Sequence, residues 1–442
     1  MSSRVWKLTI FILLLLSMVF LASCAEETET APAVEPTTPP EPTEVPEEVQ
    51  LEVWVLSQSP EEIENFETMS EVFAESHPGV SVVVSPYSWE AFNNTIKLAL
   101  DSGTGPDLAY GQPGPLGHVA LAEAGHLVDL TPYVTELGWD TTHPEGARTY
   151  WAKDPADPVY AMPFDITNVG VFYNVELFEA NGWEPPTTWE EFQTLLADIK
   201  AAGITPFSCG ATSGWTFDHY FQALVHVTVP IDDIAKVYKL EAGPSYTDDV
   251  WVQAATIVND WVEAGYFNEG FMGMAYEDQN NLFITEQVAM NLGGTWNNST
   301  FIAQPEFTAG FFRLPKINPD IDHHSMVTPN NAWYISTYTE HLDLSVAYVD
   351  FMLGLEMAEA KWAAGDIPDY IFDVVPDPVA RLQADVYAAA QGVGIGYYFT
   401  DNPELMEAEW AAIQAMGVGD LTPEEAMAQI DEVFQRLVEE SQ

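Results

Sequence analysis

The stretch from Ala161 to Phe207 constrains the fold of this chain more than any other. Val169 to Tyr173 is a short apolar run rich in β-branched and aromatic residues, the pattern of a buried strand. Pro185 and Pro186 hold the backbone extended ahead of a helix. Thr188 and Glu191 have the spacing of a capping box, in which hydroxyl and carboxylate each satisfy an orphan amide. Trp189, Phe192, Leu195, Leu196 and Ile199 then fall on one helical face. Gly203 suits the left-handed residue that ends such a helix, and Ile204 begins another strand. Strand, helix, helix, strand cannot bury its own faces, so the unit must lie on a larger sheet: the class is α/β.

The order of these pieces carries a second message. Tyr173-Asn174 at a strand end precedes Pro185-Pro186-Thr187-Thr188-Trp189-Glu190-Glu191-Phe192, and Ala202-Gly203-Ile204-Thr205-Pro206 follows. This order resembles the extracellular solute-binding proteins of ABC importers, in particular their carbohydrate-binding, maltose-binding-protein-like group. The resemblance runs over roughly residues 50 to 440, with weak alignment between about 365 and 400. It implies a type II periplasmic-binding-protein-like fold: two lobes, each a mostly parallel sheet flanked by helices, joined by a hinge around the ligand. It also implies a membrane permease as partner and no cofactor.

The remainder of the chain is compatible with that expectation. Arg4 and Lys7 precede an apolar run from Leu8 to Leu21, followed by Ala22-Ser23-Cys24. This is the layout of a secretory signal, and the run is shorter than the roughly 20 residues a spanning helix needs. Leu21-Ala22-Ser23-Cys24 resembles the bacterial lipobox, which implies cleavage after residue 23 and a lipid on Cys24; an ordinary signal peptide or an N-terminal anchor is the alternative. Residues 24–49 hold six prolines with many Glu and Thr and no aromatic residue, a composition that stays extended and unfolded. Such a segment suits a tether.

The body begins near Gln50. Leu51–Leu56, Val80–Val84 and the stretch after Asp107 read as strands, separated by helical faces on Ile63, Phe66, Met69, Phe73 and on Trp89, Phe92, Ile96, Ala99. Gly103 to Asp107 lacks the lysine and glycine spacing of a phosphate loop. Later, Val288-Ala289-Met290 leads through Gly293-Gly294 to Trp296, which has the shape of the family's second signature. Thr422 with Pro423, Glu424 and Glu425 opens the final helix as N-cap, N1 proline and acidic first turn. A body of this length exceeds one typical core, so two lobes are expected; the resemblance implies that they are discontinuous, 50–163 with 315–365 and 164–314 with 366–442.

Composition excludes some functions. With 68 acidic against 13 basic residues the net charge is −55, which repels nucleic acid and anionic solutes. The acids are spread along the chain, as in a solvated coat; a cation-binding site is the other reading. Cys209 is the only cysteine besides Cys24, and its bland reading is a small buried hydrophobe. No histidine or cysteine spacing predicts a metal site.

Neutral sugars present apolar C–H faces and rings of hydroxyls, so their sites need aromatic platforms with carboxylate and carboxamide acceptors. In the second lobe the candidates are Trp296 and Trp215, each after a glycine, with Asp165 and Asn168 at the lobe crossing and Tyr397 and Tyr398 on a glycine-rich loop. Asp165 has a rival role as a hinge cap. In the first lobe Gln58, Tyr87, Trp89, Tyr110 and Gln112 follow strands, where open α/β sheets bind ligands. Asn330, Asn331 and Trp333 complete the set. The expected function is a lipid-anchored, monomeric binding protein on the outer face of the cell membrane that delivers a neutral saccharide to a permease. A polyamine or other cationic solute is the runner-up ligand. A secreted glycosidase using carboxylates such as Asp107 and Asp165 is the rival from another class, and it requires a pair at a set separation of about 5 to 10 Å.

Overall fold

A computed structural model of the chain describes residues 48–57, 59–112, 117–143, 157–321, 326–329, 331–390 and 402–441. The signal, the tether, Cys24, Gln58, Asn330, Tyr397 and Tyr398 lie outside the described residues. Among the described residues, ten strands form two five-stranded sheets. They are β1 (Val49–Leu56), β2 (Val80–Tyr87), β3 (Leu108–Gly111), β4 (Met162–Pro163), β5 (Ile166–Asn174), β6 (Thr205–Ser208), β7 (Val288–Gly294), β8 (Ala309–Phe312), β9 (Met326–Pro329) and β10 (Ala332–Ile335). The first sheet has the order β2-β1-β3-β10-β4; the second has β6-β7-β5-β8, with β9 also on β5.

The sheets are mixed rather than mostly parallel. β1 runs parallel to β2 and β3, joined by helices as a βαβαβ alternation requires. β10 then enters antiparallel between β3 and β4. In the second sheet only β6 and β7 are parallel. The reason is β5, which accepts β9 along its first half, β8 along its second, and β7 on its other edge, all antiparallel.

The chain passes between the sheets three times. The first passage is Pro163 to Ile166. The second falls between Pro329 and Ala332, because β9 belongs to the second sheet; the expected return at residue 315 is therefore corrected. The third follows the helix Leu355–Ala364. It lies beside the first passage, where Asp165 bridges Pro368 and the Asp369 amide donates to the Phe164 carbonyl at 2.7 Å.

Local signals formed as the sequence dictates. Thr188 and Glu191 make the full capping box of the helix Trp189–Ala201. Gly203 follows it at φ +81°, a conformation that costs L side chains strain. Thr422 and Glu425 make a second capping box. Phe192, Leu195, Leu196 and Ile199 bury against β5, β6 and the helix Asp249–Glu263, whose Trp251, Ile257, Val258 and Trp261 are core as their spacing predicts. Cys209 is fully buried in the same core, and burial pushes its thiol far above the usual range, so it is an inert hydrophobe.

Candidate functional site

The facing edges of the two sheets enclose a cavity of about 280 Å³. On the first sheet its wall comes from the chain just beyond the strand ends. Ser57 and Ser59 follow β1, Trp89 follows β2, Gln112 follows β3, and Asn331 precedes the antiparallel β10. Open α/β sheets bind ligands at this edge because the chain turns there and leaves a crevice. Each residue is fixed locally. Ser88 caps the helix that Trp89 opens, accepting from the Ala91 amide at 3.3 Å. Asn93 donates to Gln112 Oε1 at 3.1 Å, and Asn331 donates to the Leu56 carbonyl at 3.4 Å.

The second sheet supplies the aromatic wall. Trp215 stands in the first turn of the helix Gly214–Thr228, Tyr276 opens the helix Tyr276–Ile284, and Trp296 follows the Gly293-Gly294 end of β7. The Trp215 ring lies 4.7 Å from Tyr276 and 6.1 Å from Trp296, within the range of favourable aromatic pairs. Trp296 Nε1 donates to the Tyr276 hydroxyl at 2.6 Å, and Asn297 Nδ2 donates to the same oxygen at 2.7 Å. Asn280 reaches Asn297 Oδ1 at 3.3 Å, and Asn291 donates to Asn280 at 3.2 Å. The indole is thus held by a chain of carboxamides reaching into the sheet. His219 sits beneath Trp215 and Trp296, and burial lowers its pKa to about 3, so the floor of the cluster is neutral.

The two walls touch. Trp89 approaches Trp215 at 6.4 Å, Ser213 donates to Glu90 at 3.0 Å, and the Ser59 and Ser299 hydroxyls meet at 3.2 Å. The described residues lining the cavity include three glutamates, several carboxamides and no Lys, Arg or His. Aromatic faces with many acceptors and no cation match the surface of an uncharged polyol.

Of the residues expected from the sequence, Trp296, Trp215, Trp89, Gln112 and Asn331 converge on this cavity. Five described ones do not line it. Tyr110 and Trp333 are fully buried, tilted against each other at 5.0 Å and packed on Phe66 of the helix Pro60–Ser76, Trp333 edge-on. They lie a residue or more inside their strands, under the helix rather than at the edge. Tyr87 turns away to Trp54 at 4.7 Å. Asn168 is buried within β5, its amide donating to Thr295. Asp165 faces the hinge, paired with Lys361 at 2.6 Å. Burial raises the Asp165 pKa to about 6, opposed by Lys361 and reinforced by Glu62. Asp107 is also committed, accepting from the Glu52 amide at 2.9 Å and the Thr339 hydroxyl at 2.7 Å. Asp107 and Asp165, the carboxylates named for a glycosidase, therefore point into structure, not into the cavity.

Sequence reasoning missed Glu62, Glu90, Tyr276, Asn280 and Asn297. Asn297 follows a named tryptophan directly. Glu62 and Glu90 sit in first helical turns, one step beyond the loops that the strand-end rule selects. Tyr276 carried no local signal.

Comparison with known proteins agrees with this geometry. The family model described as bacterial extracellular solute-binding protein matches residues 59–359. The chain is 25% identical over 298 residues to the multiple sugar-binding protein of Streptococcus mutans, covering 65% of this chain and 68% of that protein. It is 19% identical over 446 residues to the melibiose/raffinose/stachyose-binding protein of Bacillus subtilis, covering 99% and 98%. A solved chitin oligosaccharide binding protein superposes with a TM-score of 0.77 at 21% identity, covering 88% of this chain and 99% of that one. The solute-binding protein RafE in complex with raffinose superposes at 0.71 and 22%, with the same coverage.

Proposed function

The chain belongs to the bacterial extracellular solute-binding protein family, and from that premise we propose that it captures a neutral mono- or oligosaccharide outside the cell and hands it to an ABC permease. The relatives are named for what they bind, not for a bond they break, and the chain is read accordingly as a binding protein rather than an enzyme. One observation carries the ligand class: a cavity between two sheets walled by Trp89, Trp215, Tyr276 and Trp296, rich in carboxamides and free of lining cations among the described residues. Rings stack on the C–H faces of a sugar, and carboxamides and carboxylates accept its hydroxyl protons. Its volume is at the low end of small-molecule sites, which favours one or two sugar rings inside, with any further units projecting outward. Three passages between the sheets form a hinge on which the walls separate and close.

Cleavage before Cys24 and lipidation of its sulfur would fasten the body to the membrane surface through the proline-rich tether. A thermal-shift and calorimetric screen tests the ligand class. The panel is glucose, maltose, xylobiose, chitobiose and raffinose, with spermidine and glutamate as charged controls. Saturable stabilisation by a saccharide and none by spermidine is expected; the reverse pattern overturns the sugar reading.

A further inference from the structure

Behind the cavity, Lys361 is buried to 1% exposure and serves two carboxylates. Its Nζ lies 2.9 Å from Glu62 Oε1 and 2.6 Å from Asp165 Oδ1. The faces of Phe66, Tyr110 and Phe164 surround it at 5.8, 5.6 and 5.5 Å. Glu62 is the member that lines the cavity, and its second oxygen accepts from the Ser57 hydroxyl at 2.5 Å. Asp165 is the member at the first passage between sheets. Lys361 itself does not line the cavity. One cation therefore stands behind the cavity wall and the hinge together.

We infer that Lys361 is a positioning residue that sets what Glu62 takes, compensating that one of the three lining glutamates so that it accepts hydroxyl protons but does not seat a cation. This rests on the saccharide reading above. The chemistry is direct. A buried carboxylate keeps its charge only when paired, and Lys361 supplies the pair without entering the cavity. Glu62 then has one oxygen fixed from behind by Lys361 and the other by Ser57 on the wall itself, with lone pairs left for neutral donors. An ammonium group of a solute held by Glu62 would lie within two hydrogen-bond lengths of Lys361 Nζ, where low polarity strengthens like-charge repulsion. A chain of net charge −55 attracts cations from solution, so a device that refuses them at the site has a purpose here. Asp366 and Asp369 lie near the same crossing; burial raises both pKa values, Asp366 to about 8, so Asp366 is largely protonated at neutral pH.

The test replaces the charge and keeps the length. Lys361→Met is expected to weaken the best saccharide of the panel about tenfold or more, the scale of removing one charged hydrogen-bond partner. It is also expected to create spermidine binding absent from the wild-type protein. Adding Glu62→Gln to that variant should abolish spermidine binding again, a reversal that a merely structural role for Lys361 would not produce. Should Lys361→Met fail to fold, Glu62→Gln alone leaves the Lys361–Asp165 pair intact and should lower saccharide affinity about tenfold with melting preserved. A folded Lys361→Met that binds the saccharide as wild type does, or ignores spermidine, overturns the inference; so does wild-type affinity in Glu62→Gln. If no saccharide binds the wild-type protein, the sugar reading fails separately, and spermidine binding by Lys361→Met still decides the role of Lys361.

Discussion

Gly294→Ala is the most incisive single perturbation of the proposed site, because it moves Trp296 without altering it. Gly294 ends β7 at φ −97° and ψ 158°, a backbone conformation any residue adopts. The substitution therefore carries no backbone strain. What forbids a Cβ is the six-membered ring of Trp296, which lies directly over the glycine and overlaps the space a methyl group would fill. The ring must swing, and as it does the Nε1 hydrogen bond to Tyr276 breaks first. That bond is worth about 1 kcal/mol, and the ligand would also forfeit part of a stacked aromatic face, worth about 0.5 to 1.5 kcal/mol. Only the lost stacking enters the affinity, because the Trp296–Tyr276 bond is broken in the free and the liganded variant alike, so the cost is roughly two- to thirteenfold in Kd. Stability should change less. Alanine restricts the unfolded chain and returns about 0.4 to 1 kcal/mol, offsetting most of the broken hydrogen bond. Isothermal titration with the best saccharide reads the affinity, differential scanning calorimetry reads the fold, and indole fluorescence reads the ring. Wild-type affinity together with a shifted fluorescence maximum would refute Trp296 as a sugar platform. An unshifted spectrum would refute the overlap itself.

Three further outcomes follow from the same geometry. Trp89→Ala and Trp215→Ala each remove one of two lining rings that meet at 6.4 Å where the walls touch. Each should weaken saccharide binding by about 1 to 3 kcal/mol, and the double variant by less than the sum because the rings share a partner; calorimetry showing no loss in either would remove the aromatic clamp. Asp366 has its pKa raised to about 8 by burial, so between about pH 4 and 8 the folded chain holds a proton that the unfolded chain releases. Its contribution to stability is complete below the unfolded value and is lost as pH rises through 8, with a slope of at most about 1.4 kcal/mol per pH unit. Asp366→Asn should flatten the fall in melting temperature between pH 5 and 8.5, and parallel curves for the two proteins would contradict the assignment. Cys24→Ser, expressed with its own leader, should move the protein from the detergent phase to the aqueous phase of a Triton X-114 partition; an unchanged distribution would exclude the lipid anchor.

Much of the second sheet's wall was legible because its signals are local. Gly214 directly precedes Trp215 and Gly294 stands two residues before Trp296, and the structure leaves neither room for a side chain: a Cβ at 214 would meet Trp410, and one at 294 would meet Trp296. The capping boxes at Thr188 and Thr422 are likewise written within four residues and formed unaided. Depth was not legible. Tyr110 and Trp333 lie on strands of four residues whose every position is buried, so alternation gives no clue to which side chain rises to the edge. Membership of β9 was also hidden. Met326–Pro329 and Ala332–Ile335 are short strands of equal length, and only pairing with β5 or β3 assigns one to each sheet.

The hinge shows the same limit in sharper form. Asp165 stands after Pro163-Phe164, where a carboxylate reads equally as a ligand contact or a cap. Its partner Lys361 sits among alanines in the helix Leu355–Ala364, a position that reads as a solvated helix face. Nothing in either segment announces the other. They meet because the chain crosses between sheets three times and the first and third crossings run side by side. A buried lysine in that place must find carboxylates, since an unpaired ammonium would lose its proton or unfold the site. It finds two, one on the hinge and one on the cavity wall. The 2.6 Å ion pair of Asp165, and its antiparallel bridge to Pro368, tie the first passage to Lys361 and to the third passage.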